Sequence, residues 1–186
     1  MANRLNNLRI YLKDSDKVRL ADIRIRIVRE SDPLEPCDNE DLVFEKAEDV
    51  SHIPENALYK WKFDCSNERK PIWFFTTAER CKEMVSEDPY YWTLPKLKEF
   101  AEIEHHIYND WYNGYVYGFV VEKWDNANRR WETIRSHWGM YGAKALLDNL
   151  VDNLVRYNEE DIPVCMDEEE MKYEFDNTEK IINEFY

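Results

Sequence analysis

The chain has 186 residues, 44% of them hydrophobic and 15% aromatic, and a formal net charge of −14. That supply of apolar side chains excludes a wholly disordered chain, which cannot bury enough hydrocarbon to offset the entropy of ordering. The charge disfavours long-range attraction to nucleic acid or to an anionic membrane and favours a basic partner.

The charge is unevenly placed. Residues 1–30 carry +4, residues 31–60 carry −7, and residues 148–186 carry −10. No run approaches the roughly 18 apolar residues of a membrane span, and the first residues show no apolar signal core, so no membrane association is expected. The cysteines, Cys37, Cys65, Cys81 and Cys165, form no C-x-x-C pair, so a reduced, cytoplasmic protein is expected.

In chain order, Leu8–Leu12 is expected as a short strand. Ile23, Ile25 and Ile27 then alternate with Arg24, Arg26 and Val28, the period-two pattern of a strand with one buried face. Pro33 and Pro36 interrupt it, and Leu42–Phe44 is expected as a short strand. Ala57, Tyr59, Trp61 and Phe63 alternate again, with Ile72–Phe75 as hairpin partner. Thr76 and Glu79 have capping-box spacing, so a helix is expected to about Ser86.

A longer helix is expected over about 95–112. Thr93 caps it, Pro95 lies in its first turn, and Leu97, Phe100, Ile103 or Glu104, Ile107 and Trp111 form its stripe, with Asn113-Gly114 as the stop. Tyr115–Trp124 and Arg130–Trp138 form an antiparallel hairpin across the turn-forming residues 125–129. An amphipathic helix over 143–157 has Leu146, Leu147, Leu150, Val151, Leu154 and Val155 on one stripe. Pro163–Met166 is extended, and a last helix carries Met171, Phe175, Thr178, Ile182 and Phe185 at gaps of 4, 3, 4 and 3.

The expected fold class is therefore α+β: a largely antiparallel sheet with helices packed on one side, and a C-terminal amphipathic acidic helix. It is expected as one domain over 1–186, with an alternative division into a strand-rich part, 1–76, and a helix-hairpin-helix part, 77–186.

Asp167, Glu168, Glu169 and Glu170 stand in a row where that last helix would begin. Carboxylates in a first turn favourably face the positive end of the helix dipole, but the effect fades beyond it. Glu174 and Asp176 extend the acidity past the first turn, and Asp148 and Asp152 stand i,i+4 on the preceding helix. Acids on successive turns are about 5.4 Å apart along a helix axis, which roughly approaches a phosphate ladder. These eight residues are the candidate partner-binding set, set against the plainer reading of a solvated helix face.

Arg24 and Arg26 are candidates for a nucleic-acid contact, with cross-strand pairing as the competing reading. Glu102, His105 and His106 have partly di-iron-like spacing, but a second such motif is missing. No cofactor, no metal and no nucleophile motif is expected. Trp138-Gly139-Met140-Tyr141-Gly142 reads as a turn linking hairpin to helix.

In size, acidity, aromatic content and its acidic terminal segment, the chain resembles small acidic accessory proteins of phages and mobile elements, of the anti-restriction or anti-CRISPR type. The resemblance implies an inhibitor that binds a basic nucleic-acid-handling protein or nucleoprotein, such as a nuclease. Nucleic acid would be met only indirectly, or through the basic N-terminal strand, and a homodimer is compatible with it. Two alternatives are a small acidic chaperone or adaptor using Trp and Tyr surfaces and a metal-dependent hydrolase around Glu102, His105 and His106.

Overall fold

The computed structural model describes residues 10–39, 41–64, 71–156 and 162–167. The chain forms two compact units, one of residues 34–113 and one of residues 1–33 with 114–186. In sequence, the first interrupts the second; the units do not follow a division at residue 76.

The 34–113 unit contains the short helix α2 (Pro36–Asn39), strands β3 (Glu45–Ala47), β4 (Tyr59–Phe63) and β5 (Ile72–Thr76), and helices α3 (Ala78–Met84) and α4 (Leu94–Tyr112). Its sheet runs β3-β5-β4, antiparallel throughout. The hairpin expected from alternation forms, and Trp61 opposite Phe74 stacks on it at 4.2 Å between ring centroids. Helix α4 turns Leu97, Ala101, Glu104 and Tyr108 inward. Gaps of four, three and four keep these residues on one face. They close over Phe44, Phe63, Phe74 and Cys81.

Leu42–Phe44 is not a strand; β3 begins at Glu45. The three residues are nevertheless core, with side chains at most 9% exposed. Their backbone is satisfied by side chains instead of a ladder. Arg80 donates to the Leu42 carbonyl at 2.6 Å, and Glu104 accepts from the N–H groups of Val43 and Phe44 at 2.6 and 3.3 Å. Buried backbone groups need partners of some kind, and polar side chains here replace a neighbouring strand. Helix α3 also starts one residue later than the capping box suggests. Thr77 is its N-cap and accepts from the Arg80 N–H, while Thr76 is buried against Cys81 at 3.4 Å.

The other unit holds β1 (Ile10–Leu12), α1 (Asp16–Arg19), β2 (Ile23–Arg29), β6 (Val116–Asp125), β7 (Arg130–Tyr141), α5 (Gly142–Arg156) and β8 (Val164–Met166). Its strand order is β1-β8-β2-β6-β7. The β2–β6 and β6–β7 pairs are antiparallel, but β8 pairs in parallel with both β1 and β2. This sheet is thus mixed, which corrects the largely antiparallel expectation. A strand arriving after a helical connection can enter the sheet in parallel, and β8 follows α5.

Ile25, Ile27, Tyr117, Phe119, Met140 and Val164 form a core with Leu146, Leu147 and Leu150 of α5. The stripe read from the sequence is thus the buried side of α5 at these three leucines. The hairpin β6–β7 has two register shifts, between Tyr117 and Phe119 and between Val121 and Glu122. The expected C-terminal helix beyond Asp167 lies outside the described residues. No described helix is long and apolar enough to cross a membrane.

Candidate functional site

The acidity of residues 31–60 acquires a definite setting in the 34–113 unit. Asp41 precedes the buried 42–44 segment, Glu45 opens β3, Glu48 follows it, and Glu55 lies in the loop before β4. All four are exposed. None makes an ion pair within the described residues; Lys46, between Glu45 and Glu48 in sequence, is bound to Glu35 at 2.6 Å. Exposed carboxylates without counterions produce a negative local potential able to steer a basic partner.

The carboxylates chosen from sequence are placed less uniformly. Asp167 is exposed and pairs with Lys13 at 3.3 Å. Asp148 pairs with Lys144, one helical turn earlier, at 2.8 Å. Both pairs are more than 45% exposed at each side chain, where ion pairs are weak and readily exchanged. Glu168, Glu169, Glu170, Glu174 and Asp176 lie outside the described residues. Asp152 falls in α5, but its side chain is also outside them. Of these eight, Asp148 and Asp167 are the ones whose side chains fall among the described residues.

Arg24 and Arg26 take the cross-strand role. Both point to the face of β2 opposite the leucine-covered core, where Arg24 is in register with Glu122 of β6. Arg24 Nε donates to Glu122 at 2.7 Å, and Arg26 Nη2 donates to the other carboxylate oxygen at 3.3 Å. The Arg24 guanidinium also lies over Trp131, 4.2 Å from its ring centroid. Glu122 is almost fully buried, and burial of a lone carboxylate would be costly. Two guanidiniums on one carboxylate meet that cost and rigidify the sheet. A nucleic-acid contact through these arginines would have to compete with Glu122.

Glu102, His105 and His106 do not converge into a ligand set. All three are exposed on α4. The His105 ring lies against Trp61 and Phe63, with centroids 5.7 and 5.4 Å away. Partial burial, then the neighbouring His106, lowers its pKa, so its neutral form is favoured. Among the described residues, one group of three possible metal ligands has donor atoms within 4.8 Å of one another: Glu35, Cys37 and Asp38. No sequence signal marks it, because Pro33 and Pro36 read as a loop and the three residues have no recognised ligand spacing. The three described cysteines, Cys37, Cys81 and Cys165, are free thiols.

Two further features stand out. Glu104 is a buried carboxyl whose pKa is raised to about 7, chiefly by burial, with the Val43 and Phe44 N–H groups opposing the shift. Its sequence signal was present: an acid on the stripe that faces the core. The second feature is apolar. In and beside the turn of 3-10 helix at Pro89–Trp92, Tyr90, Tyr91 and Leu94 are 75%, 53% and 53% exposed.

No family model, curated protein or solved structure matches this chain.

Proposed function

We propose that the chain is a non-enzymatic acidic binding protein, acting in the cytoplasm, that inhibits or sequesters a basic nucleic-acid-handling partner by presenting carboxylates where that partner expects phosphates. The observation that carries this reading is the exposed set Asp41, Glu45, Glu48 and Glu55, which makes no ion pair among the described residues. Asp167 supplies a second anionic position, paired with an exposed lysine. A phosphate-binding surface gains affinity by exchanging counterions for charge, and carboxylates can serve the same exchange.

The test is displacement of labelled duplex DNA from purified restriction and guide-RNA nucleases at low and high salt. The unmodified chain should displace DNA from a responsive nuclease, less strongly at high salt. Two variants, D41N/E45Q/E48Q/E55Q and D167N/E168Q/E169Q/E170Q, apportion the effect between the two acidic segments. Displacement unchanged in both variants, or absent at low salt across the panel, overturns the reading.

The exposed Tyr90, Tyr91 and Leu94 favour a second reading, a small acidic chaperone or adaptor. Aromatic side chains are enriched in protein interfaces. Capture of an apolar peptide that persists at high salt and is lost in Y90A/Y91A would select it over the first.

A further inference from the structure

We propose that the guanidiniums of Arg24 and Arg26 form a binding site for one phosphate group, seated beside Glu122 on the face of the sheet opposite the leucine-covered core. The charges there do not balance. Two cations share one carboxylate, Arg24 through Nε at 2.7 Å, and Arg26 through Nε and Nη2 at 3.4 and 3.3 Å. The cluster therefore holds one excess positive charge. The side chains of Arg24 and Glu122 are 11% and 8% exposed, and that of Arg26 is 31% exposed. Water screens a charge so placed less than it screens a surface one.

Neighbouring groups leave the excess in place. Among the described residues, neither arginine pairs with a second acid. Cys165, in register with Arg26 on β8, is fully buried, and burial pushes its thiol up, so it stays neutral. Val120, in register with Arg26 on β6, is apolar. Asp167, just after β8, is matched by Lys13.

Donors remain as well as charge. A guanidinium carries five N–H groups. Among the described residues Arg24 donates through Nε alone, which leaves both of its terminal nitrogens for a ligand. Arg26 leaves Nη1. Trp131 lies 4.2 Å from the Arg24 guanidinium, measured to its ring centroid. Stacking takes the face of the guanidinium plane and keeps its N–H edge open. Guanidinium forks match phosphate oxygens in pairs, which favours phosphate over a spherical ion such as chloride. Glu122 and Trp131 already hold both side chains in place, so little side-chain freedom is lost when the ligand binds. Glu122 is thus a fixed part of the site, and the phosphate joins the cluster without displacing it.

The test titrates the full chain with inorganic phosphate by calorimetry, with chloride at equal ionic strength as the control. One phosphate should bind per chain, and the charge count sets the order among variants. E122Q leaves two unmatched cations and should bind phosphate about tenfold more tightly. R26M leaves none and should bind about tenfold more weakly, tenfold being about the worth of one charge-assisted hydrogen bond. R26M keeps the Arg24–Glu122 pair, so its loss is read in a folded chain, checked by its thermal midpoint without phosphate. A 5′-phosphorylated oligonucleotide that binds in the same order, while its unphosphorylated form does not, identifies the ligand as a nucleic-acid end. Binding of inorganic phosphate alone identifies it as the free ion. Equal heats with phosphate and chloride, or equal phosphate affinity in R26M and the unmodified chain, overturn the site.

Discussion

Val43 donates its backbone N–H to the carboxyl of Glu104 at 2.6 Å, joining positions 61 residues apart in the chain. The contact substitutes for a strand partner and also places an acid in the core. Burial raises the Glu104 pKa from an ordinary 4.5 to about 7. A group raised in the folded state contributes its stability fully below the unfolded value, and loses it as pH rises through the folded value. Glu104 should therefore lower stability progressively between about pH 4.5 and pH 7.

The E104Q variant isolates this effect, because its carboxamide does not titrate. Urea denaturation of both proteins should show the stability of E104Q rising relative to the unmodified chain by roughly 3 kcal/mol between pH 4.5 and pH 8, the value of a shift of that size. An identical difference at the two ends would mean that Glu104 does not change protonation in that window.

Glu122 makes a second prediction. Its side chain is 8% exposed, and it is shared by Arg24 and Arg26. E122A leaves two guanidiniums facing each other without an anion and should cost about 3–5 kcal/mol, the range for a broken buried pair. Arg26, at 31% exposure, retains some water, so the lower end is expected. The triple variant R24M/E122L/R26M removes all three charges and should recover most of the loss. A loss under about 0.5 kcal/mol for E122A, within the range of a neutral surface change, would show that the cluster adds nothing to stability.

Elements with a local period were legible in the sequence. The stripe Leu97–Trp111 and the leucines of 146–150 encode α4 and α5, alternation encodes β2 and β4, and β-rich runs about a turn-forming loop encode the β6–β7 hairpin. Pairings that depend on distant partners were not. Nothing local to Val164–Met166 says that it enters in parallel between β1 and β2, and nothing local says that 34–113 forms its own compact unit. Leu42–Phe44 has strand composition but finds its backbone partners in Arg80 and Glu104, 38 to 61 residues away. The same holds at the candidate site. Charge runs were visible, but which carboxylates have counterions is a tertiary fact, as Asp148 with Lys144 and the exposed Asp41 show.

Gly118 shows how close packing fixes a residue that composition alone left unremarked. A Cβ built there would lie 2.2 Å from Cε3 of Trp138 and 2.8 Å from the carbonyl oxygen of His137. The indole therefore lies across bare backbone in β6, and the hairpin register shift next to Gly118 brings the two strands to that arrangement. Trp138 is 45% exposed, so its ring has room to swing outward. The His137 carbonyl belongs to the strand and cannot move without disturbing the ladder. G118A should therefore cost about 1–3 kcal/mol, the usual range for overpacking. In a double-mutant cycle with W138A the penalty should fall but not vanish, because the carbonyl clash remains. A penalty abolished by W138A would assign the whole effect to the indole. No penalty in G118A alone would contradict the close approach itself, since a methyl group cannot share that volume with an aromatic ring.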